Sequence, residues 1–102
     1  MGCLPCFCIY NNLMEYEWDE AKRAANLRKH GVDFESVAEF DWSAALLLPD
    51  ARHDYGEPRW VAIGPIGGRV HCLVFTKRGG RIRVISLRKA NRREVKSHES
   101  QT

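Results

Sequence analysis

A chain of 102 residues, 44% hydrophobic and 28% charged, has room for one domain around one core and not for two. No apolar run approaches the ~20 residues of a membrane helix, and no basic stretch opens a secretory signal. A cytoplasmic location with reduced thiols is therefore expected. The net charge of +3 conceals a division: residues 1–58 hold five Lys/Arg and eleven Asp/Glu, residues 59–96 eleven Lys/Arg and a single Glu. Such a basic half suits a polyanion, most simply nucleic acid. The alternative is that the acidic half neutralises it within the fold.

Residues 1–13 carry no charge and include Cys3, Cys6 and Cys8. C-x-x-C-x-C could hold a metal, but neither a His nor a fourth Cys lies nearby, and Cys72 falls in an apolar strand pattern, so no metal site is expected. These residues read as an upstream extension, with one domain from 14 to 97 and a frayed tail at 98–102. EYEW (15–18) alternates polar and aromatic residues, as a short strand does. Asp19 is a good N-cap for DEAKRAANLRKH. Asp19 and Glu20 start this helix and Arg28, Lys29 and His30 end it, as the helix dipole prefers; Gly31 stops it. Asp33 caps a second helix, FESVAEF, with Val32 and Val37 placed for a hydrophobic staple and Phe34, Val37 and Ala38 facing the core.

SAALLLPD (43–50), PRWVAIGPI (58–66), RVHCLVFTKR (69–78) and RIRVISLRK (81–89) read as strands. Gly67-Gly68 and Gly79-Gly80 join the last three as hairpins, and ANRREVKSHESQT starts as a helix. The order β-α-α-β-β-β-β(-α) describes an α+β fold: a largely antiparallel sheet with two helices packed on one face. The opposite face is then open as a binding surface. Strict alternation along the last strand puts Ile82, Val84, Ser86 and Arg88 on one face and Arg81, Arg83, Ile85 and Leu87 on the other.

No Walker loop, dinucleotide fingerprint, HExxH or nucleophile elbow appears, so neither cofactor nor metal is expected. The remaining Arg, Lys, His and Glu suffice for one reaction: cleavage of RNA by its own 2′-hydroxyl. A base takes the hydroxyl proton, a cation stabilises the crowded phosphate, and an acid protonates the leaving 5′ oxygen. Arginine suits the middle role because its fork matches phosphate oxygens. Arg88 is the preferred residue, since an arginine among apolar neighbours needs a carboxylate or a phosphate. His53 in its loop is a candidate base or acid. His30 has a competing role at the helix C-terminus, and Glu57 and Arg59 a competing role as a surface ion pair. Lys77, Arg78, Arg81 and Arg83 about the Gly-Gly turn, with Lys89 at the strand end, are candidate contacts to the RNA backbone. Trp42, Trp60, Phe75 and Tyr55 are candidates for base stacking, although aromatics in strand patterns are usually core.

WDEAKRAANLRKHGVDF (18–34) resembles the opening of the BrnT family of bacterial toxins. Glu57 and Arg59 as E-x-R, Thr76 and Arg78 as T-x-R, and Arg83 to Glu94 as R-x-I-S-x-R-K-A-x-x-x-E are similar to the rest of its pattern, so the resemblance covers roughly residues 15–97. It implies a RelE-like ribonuclease fold and a toxin that cuts RNA and arrests growth. It also implies a small DNA-binding antitoxin (BrnA-like), the complex repressing its own operon, so that operator DNA is met only through the antitoxin. Its functional positions would be Lys29, His30, Glu57, Arg59 and Arg88. The family often has an aromatic about four residues after the Glu of the last helix; here that place holds His98. A non-catalytic nucleic-acid-binding module and a domain that docks an acidic partner protein are the competing readings.

Overall fold

The computed structural model describes residues 15–50 and 57–100; Cys3, Cys6, Cys8, His53 and Tyr55 lie outside them. In chain order the elements are β1 (Tyr16–Glu17), α1 (Glu20–His30), two 3-10 helices, η1 (Phe34–Glu39) and η2 (Trp42–Ala44), then β2 (Leu46–Pro49), β3 (Trp60–Ile66), β4 (Arg69–Arg78), β5 (Arg81–Lys89) and α2 (Arg92–Ser100). The five strands form one sheet in the order β1-β5-β4-β3-β2. All neighbours are antiparallel except β1 and β5, where Tyr16 pairs with Ile82 and Glu17 with Arg83 in parallel. No helix among the described residues is long and apolar enough to cross a membrane.

Local sequence accounts for most boundaries. The Asp19 side chain accepts hydrogen bonds from the Ala21 and Lys22 amides, and Gly31 closes α1 with φ of 72°, its N–H on the Leu27 carbonyl. Gly79 and Gly80 both take positive φ, 55° and 83°, as a two-residue hairpin turn of the right twist requires. The meander strands β4 and β5 run over the expected ranges, and β3 starts two residues later than expected. The helix expected at 34–40 is a 3-10 helix instead. With three residues per turn, residues three apart stack on one side, so Phe34, Val37 and Phe40 are buried while Ala38, expected to face the core, is exposed. Ser43 and Ala44 belong to η2, so β2 begins only at Leu46.

The core lies between the sheet and α1 with η1. Val32, Phe34, Val37 and Phe40 meet Ala62, Leu73, Phe75, Ile82, Val84 and Leu87. A bulge decides which side chains of β5 join them. Val74 pairs with Ser86 but Phe75 pairs with Val84, leaving Ile85 without a counterpart. The extra residue resets the alternation. Leu87 therefore joins Ile82 and Val84 in the core, and Arg88, Ser86 and Arg83 share the opposite, outer face with Cys72, Val74 and Thr76. The strict alternation expected from sequence is wrong past residue 84 for this reason. The outer face is also not bare: α2 lies on it, with Glu94 against Arg88 and further contact to β3.

One side chain secures the edge of β5. The β1 strand pairs with only the first part of β5. Beyond it, buried Asn26 on α1 donates to the Leu87 and Val32 carbonyls (2.6 and 3.0 Å) and accepts from the Leu87 N–H (3.2 Å). Its amide thus takes the place of a neighbouring strand's peptide. Asn26→Ala leaves buried backbone groups without partners, each costing about 1–3 kcal/mol. Urea unfolding should show a loss of roughly 2–4 kcal/mol, several times that of Ala25→Gly on the exposed side of the same helix.

Candidate active site

The residues singled out from sequence fall into two groups at opposite ends of β4 and β5. Arg88 pairs with Cys72, whereas Arg83 pairs with Thr76 and Arg81 with Arg78. Cys72 and Arg78 are six residues apart on one strand, or about 20 Å at the usual rise. Arg88 and the Glu57–Arg78 pair therefore cannot act on one phosphate.

At the far end, carboxylates neutralise the arginines. Arg78 donates to both oxygens of Glu57 (3.3 and 3.1 Å). Arg81 donates to Glu15 (3.1 Å) and Arg83 to Glu17 (2.9 Å). The Thr76 hydroxyl donates to the Pro58 carbonyl (2.6 Å), tying the Glu57–Arg59 segment to β4. The hydrogen bond from Arg78, with the charges of Arg78, Arg59 and Arg83, holds the Glu57 carboxyl below its ordinary range. Arg59 lies half-buried beside it, ahead of Trp60, which packs against the core. Here the acidic half of the chain does neutralise the basic half, and three of the expected backbone-binding arginines (Arg78, Arg81, Arg83) are ion-paired. Lys77 is exposed nearby.

The near end is different. The Arg88 guanidinium donates from both Nη atoms to the two oxygens of Glu94 (2.8 and 2.7 Å). That carboxylate also accepts from the Asn91 N–H (2.9 Å) and from the Cys72 thiol. Arg88 thus meets a carboxylate, one of the two partners its position demands. His30, at the C-terminus of α1, comes close enough to feel Arg88. Burial, then the positive charges of Lys29 and Arg88, push its imidazole below the ordinary value, so at neutral pH it is uncharged and able to accept a proton. Around this pair stand Lys29, Lys89, Arg92 and Arg93, all exposed and with no ion pair among the described residues. The expected site residues Lys29, His30, Arg88 and Lys89 therefore come together at this corner, while Glu57 and Arg59 do not.

Arg92, Arg93 and Glu94 were not among the residues singled out for chemistry from sequence. Two arginines in the first turn of a helix oppose the helix dipole, and that was the available signal. The aromatics are accounted for by the core. Trp42 donates to the Tyr16 hydroxyl (2.8 Å) and stands edge-on to Phe75 at 5.2 Å, so Trp42 and Phe75 are not presented for base stacking.

Comparison with known proteins shows the family and the fold. Residues 18–94 match the family described as ribonuclease toxin, BrnT, of type II toxin–antitoxin system. The fold is similar to the 1.1 Å crystal structure of the Brucella abortus ribonuclease toxin BrnT. That similarity has a TM-score of 0.64 and 34% sequence identity, over 78% of this chain and 99% of that chain. No curated protein matches.

Two titrations check the corner. The Glu94 carboxyl is held below its ordinary value near 4.5, first by its hydrogen bond from Arg88. A depressed folded value means that its contribution to stability is complete above that ordinary value and is lost as pH falls through the folded one. The stability difference between the natural protein and Glu94→Gln should stay constant from neutral pH to about 4.5 and shrink below it. In NMR titrations, Arg88→Ala should raise the His30 value only part of the way to 6.5, because burial persists.

Proposed function

The chain belongs to the BrnT family of ribonuclease toxins of type II toxin–antitoxin systems, and from that premise we propose that it cleaves RNA by attack of the 2′-hydroxyl, without a metal ion. The observation that supports this reading is that His30 lies within electrostatic range of Arg88, at a corner where Lys29, Lys89, Arg92 and Arg93 are exposed. In this reading the Arg88 fork receives the scissile phosphate and stabilises the charge that grows on it. His30 accepts the 2′-hydroxyl proton, which its lowered affinity for protons allows at neutral pH. The new bond from the 2′ oxygen to phosphorus displaces the 5′ oxygen, which takes a proton from water as it leaves, and a 2′,3′-cyclic phosphate remains. Lys29, Lys89, Arg92 and Arg93 attract the backbone on either side.

Glu57 and Arg59 then serve another nucleotide. Trp60 pairs with Phe75, which puts Arg59 level with Thr76, four residues or about 13 Å along the strands from the position of Arg88, and Arg59 would hold the strand about two phosphates away from the cut. Lys77, beside the turn, would extend that track. The product of cleavage is arrest of translation and growth. The partner is an antitoxin that covers the basic corner and carries the DNA-binding function, so that operator DNA is reached through the complex.

The experiment uses the chain freed of any partner, a defined single-stranded RNA, and EDTA throughout. Fragments with 2′,3′-cyclic phosphate ends are expected. Arg88→Ala should slow their formation by about 10²–10³-fold, the usual effect of removing one charge-stabilising donor, and His30→Ala by about 10²-fold. RNA left intact in EDTA by the folded protein, but cut when a divalent ion is added, would replace the metal-free step.

A further inference from the structure

We propose that Glu94 is a built-in competitor of the RNA phosphate: its carboxylate fills the fork of Arg88 in the unliganded protein, and α2 must lift from the sheet before substrate can bind. The identity of the displaced anion rests on the ribonuclease reading; the latch itself does not. Both Nη atoms of Arg88 are already committed to the two oxygens of Glu94, at 2.8 and 2.7 Å. That is the bidentate geometry in which arginine holds a phosphate. One fork cannot serve both at once.

The rest of α2 is built to be moved. None of its residues is buried. At its far end, His98 Nε2 donates to the Ala44 carbonyl at 2.6 Å. Glu94 also completes a reciprocal cap, taking the Asn91 N–H and giving its own N–H to the Asn91 side chain, each at 2.9 Å. This cap lies within the helix, so the first turn keeps its hydrogen bonds when Arg88 lets go, and α2 moves as a unit. Exchange is also nearly neutral in charge: Arg88 trades a carboxylate for a phosphate, and Glu94 passes into water. Arg92 and Arg93, carried on the same turn, remain to follow the RNA backbone.

The test separates binding from cleavage. The probe is a fluorescein-labelled RNA hexanucleotide with every 2′-hydroxyl methylated, which the proposed reaction cannot cut. Its affinity is read by fluorescence polarisation with the full chain. Glu94→Gln keeps a residue that suits the cap and removes the competing charge. It is expected to tighten binding about tenfold, and the gain should vanish in an Arg88→Ala background. His98→Ala, which loosens the other end of α2 without touching the fork, should tighten binding in the same direction and serves if Glu94→Gln does not fold. Unchanged or weaker binding by the folded variants overturns the latch. A parallel assay on unmodified RNA keeps the two readings apart. Tighter binding without cleavage by any variant overturns the ribonuclease assignment and leaves the latch. Cleavage by the natural protein without the gain in binding does the reverse.

Discussion

The amide of Asn26 is the contact on which the arrangement of this domain depends. The β5 strand has a strand neighbour on its outer side for only two residues, and past that point its peptides would face the interior without partners. Asn26 supplies both a donor and an acceptor to Leu87, and the second donor hydrogen of its amide goes to Val32. One side chain therefore fixes the height of α1 along β5 and the path of the chain leaving α1. Because His30 ends that helix and Arg88 follows Leu87, the same contact sets the distance between the two groups of the candidate active site. A buried polar group that is fully satisfied gives direction as well as stability, which apolar packing does not.

Charge is distributed by a related logic. The basic half of the chain meets the acidic half along β1 and the strand ends, where Glu15, Glu17 and Glu57 take up Arg81, Arg83 and Arg78. That neutralisation joins the first strand to the last and leaves little field for a polyanion. The corner where β5 gives way to α2 keeps its excess charge. Arg88 is held there by one carboxylate while four neighbouring cations remain exposed. Net charge read over half a sequence could not separate these two ends, because the separation depends on which acid reaches which base in space.

Much of the fold could be read from the sequence because the signals were local. Asp19 and Gly31 delimit α1, and Gly79-Gly80 with its flanking strands defines a hairpin. The motif residues of the family lie on elements whose order was evident. What escaped was non-local or depended on a single inserted residue. Ile85 interrupts the pairing of β4 with β5, and nothing in RIRVISLRK marks it as the unpaired member, so the faces assigned to Ser86, Leu87 and Arg88 came out reversed with respect to the core. The three-residue repeat of Phe34, Val37 and Phe40 was present in the sequence, and read at a period of 3.6 it misplaced Ala38. The position of α2 on the outer face depends on the Glu94–Arg88 bond between two elements. Of the expected site, Lys29, His30, Arg88 and Lys89 lie at one corner, while Glu57 is bound to Arg78 at the other end of β4, with Arg59 beside it.

The parallel pairing of Tyr16–Glu17 with Ile82–Arg83 has a consequence for how the protein comes into being. The two partners are 66 residues apart in the chain, as are Glu17 and Arg83, which hydrogen-bond to each other. Closing so long a loop is entropically costly and is repaid only when both segments are present together. On the ribosome, α1 and its histidine emerge early, but the sheet cannot close, nor Asn26 find Leu87, until β5 has left the exit tunnel. Arg88 and Glu94 follow within a few residues. The chain thus acquires the candidate site and the proposed latch almost together, once β5 and α2 have been made, and a product that stops short of β5 carries neither.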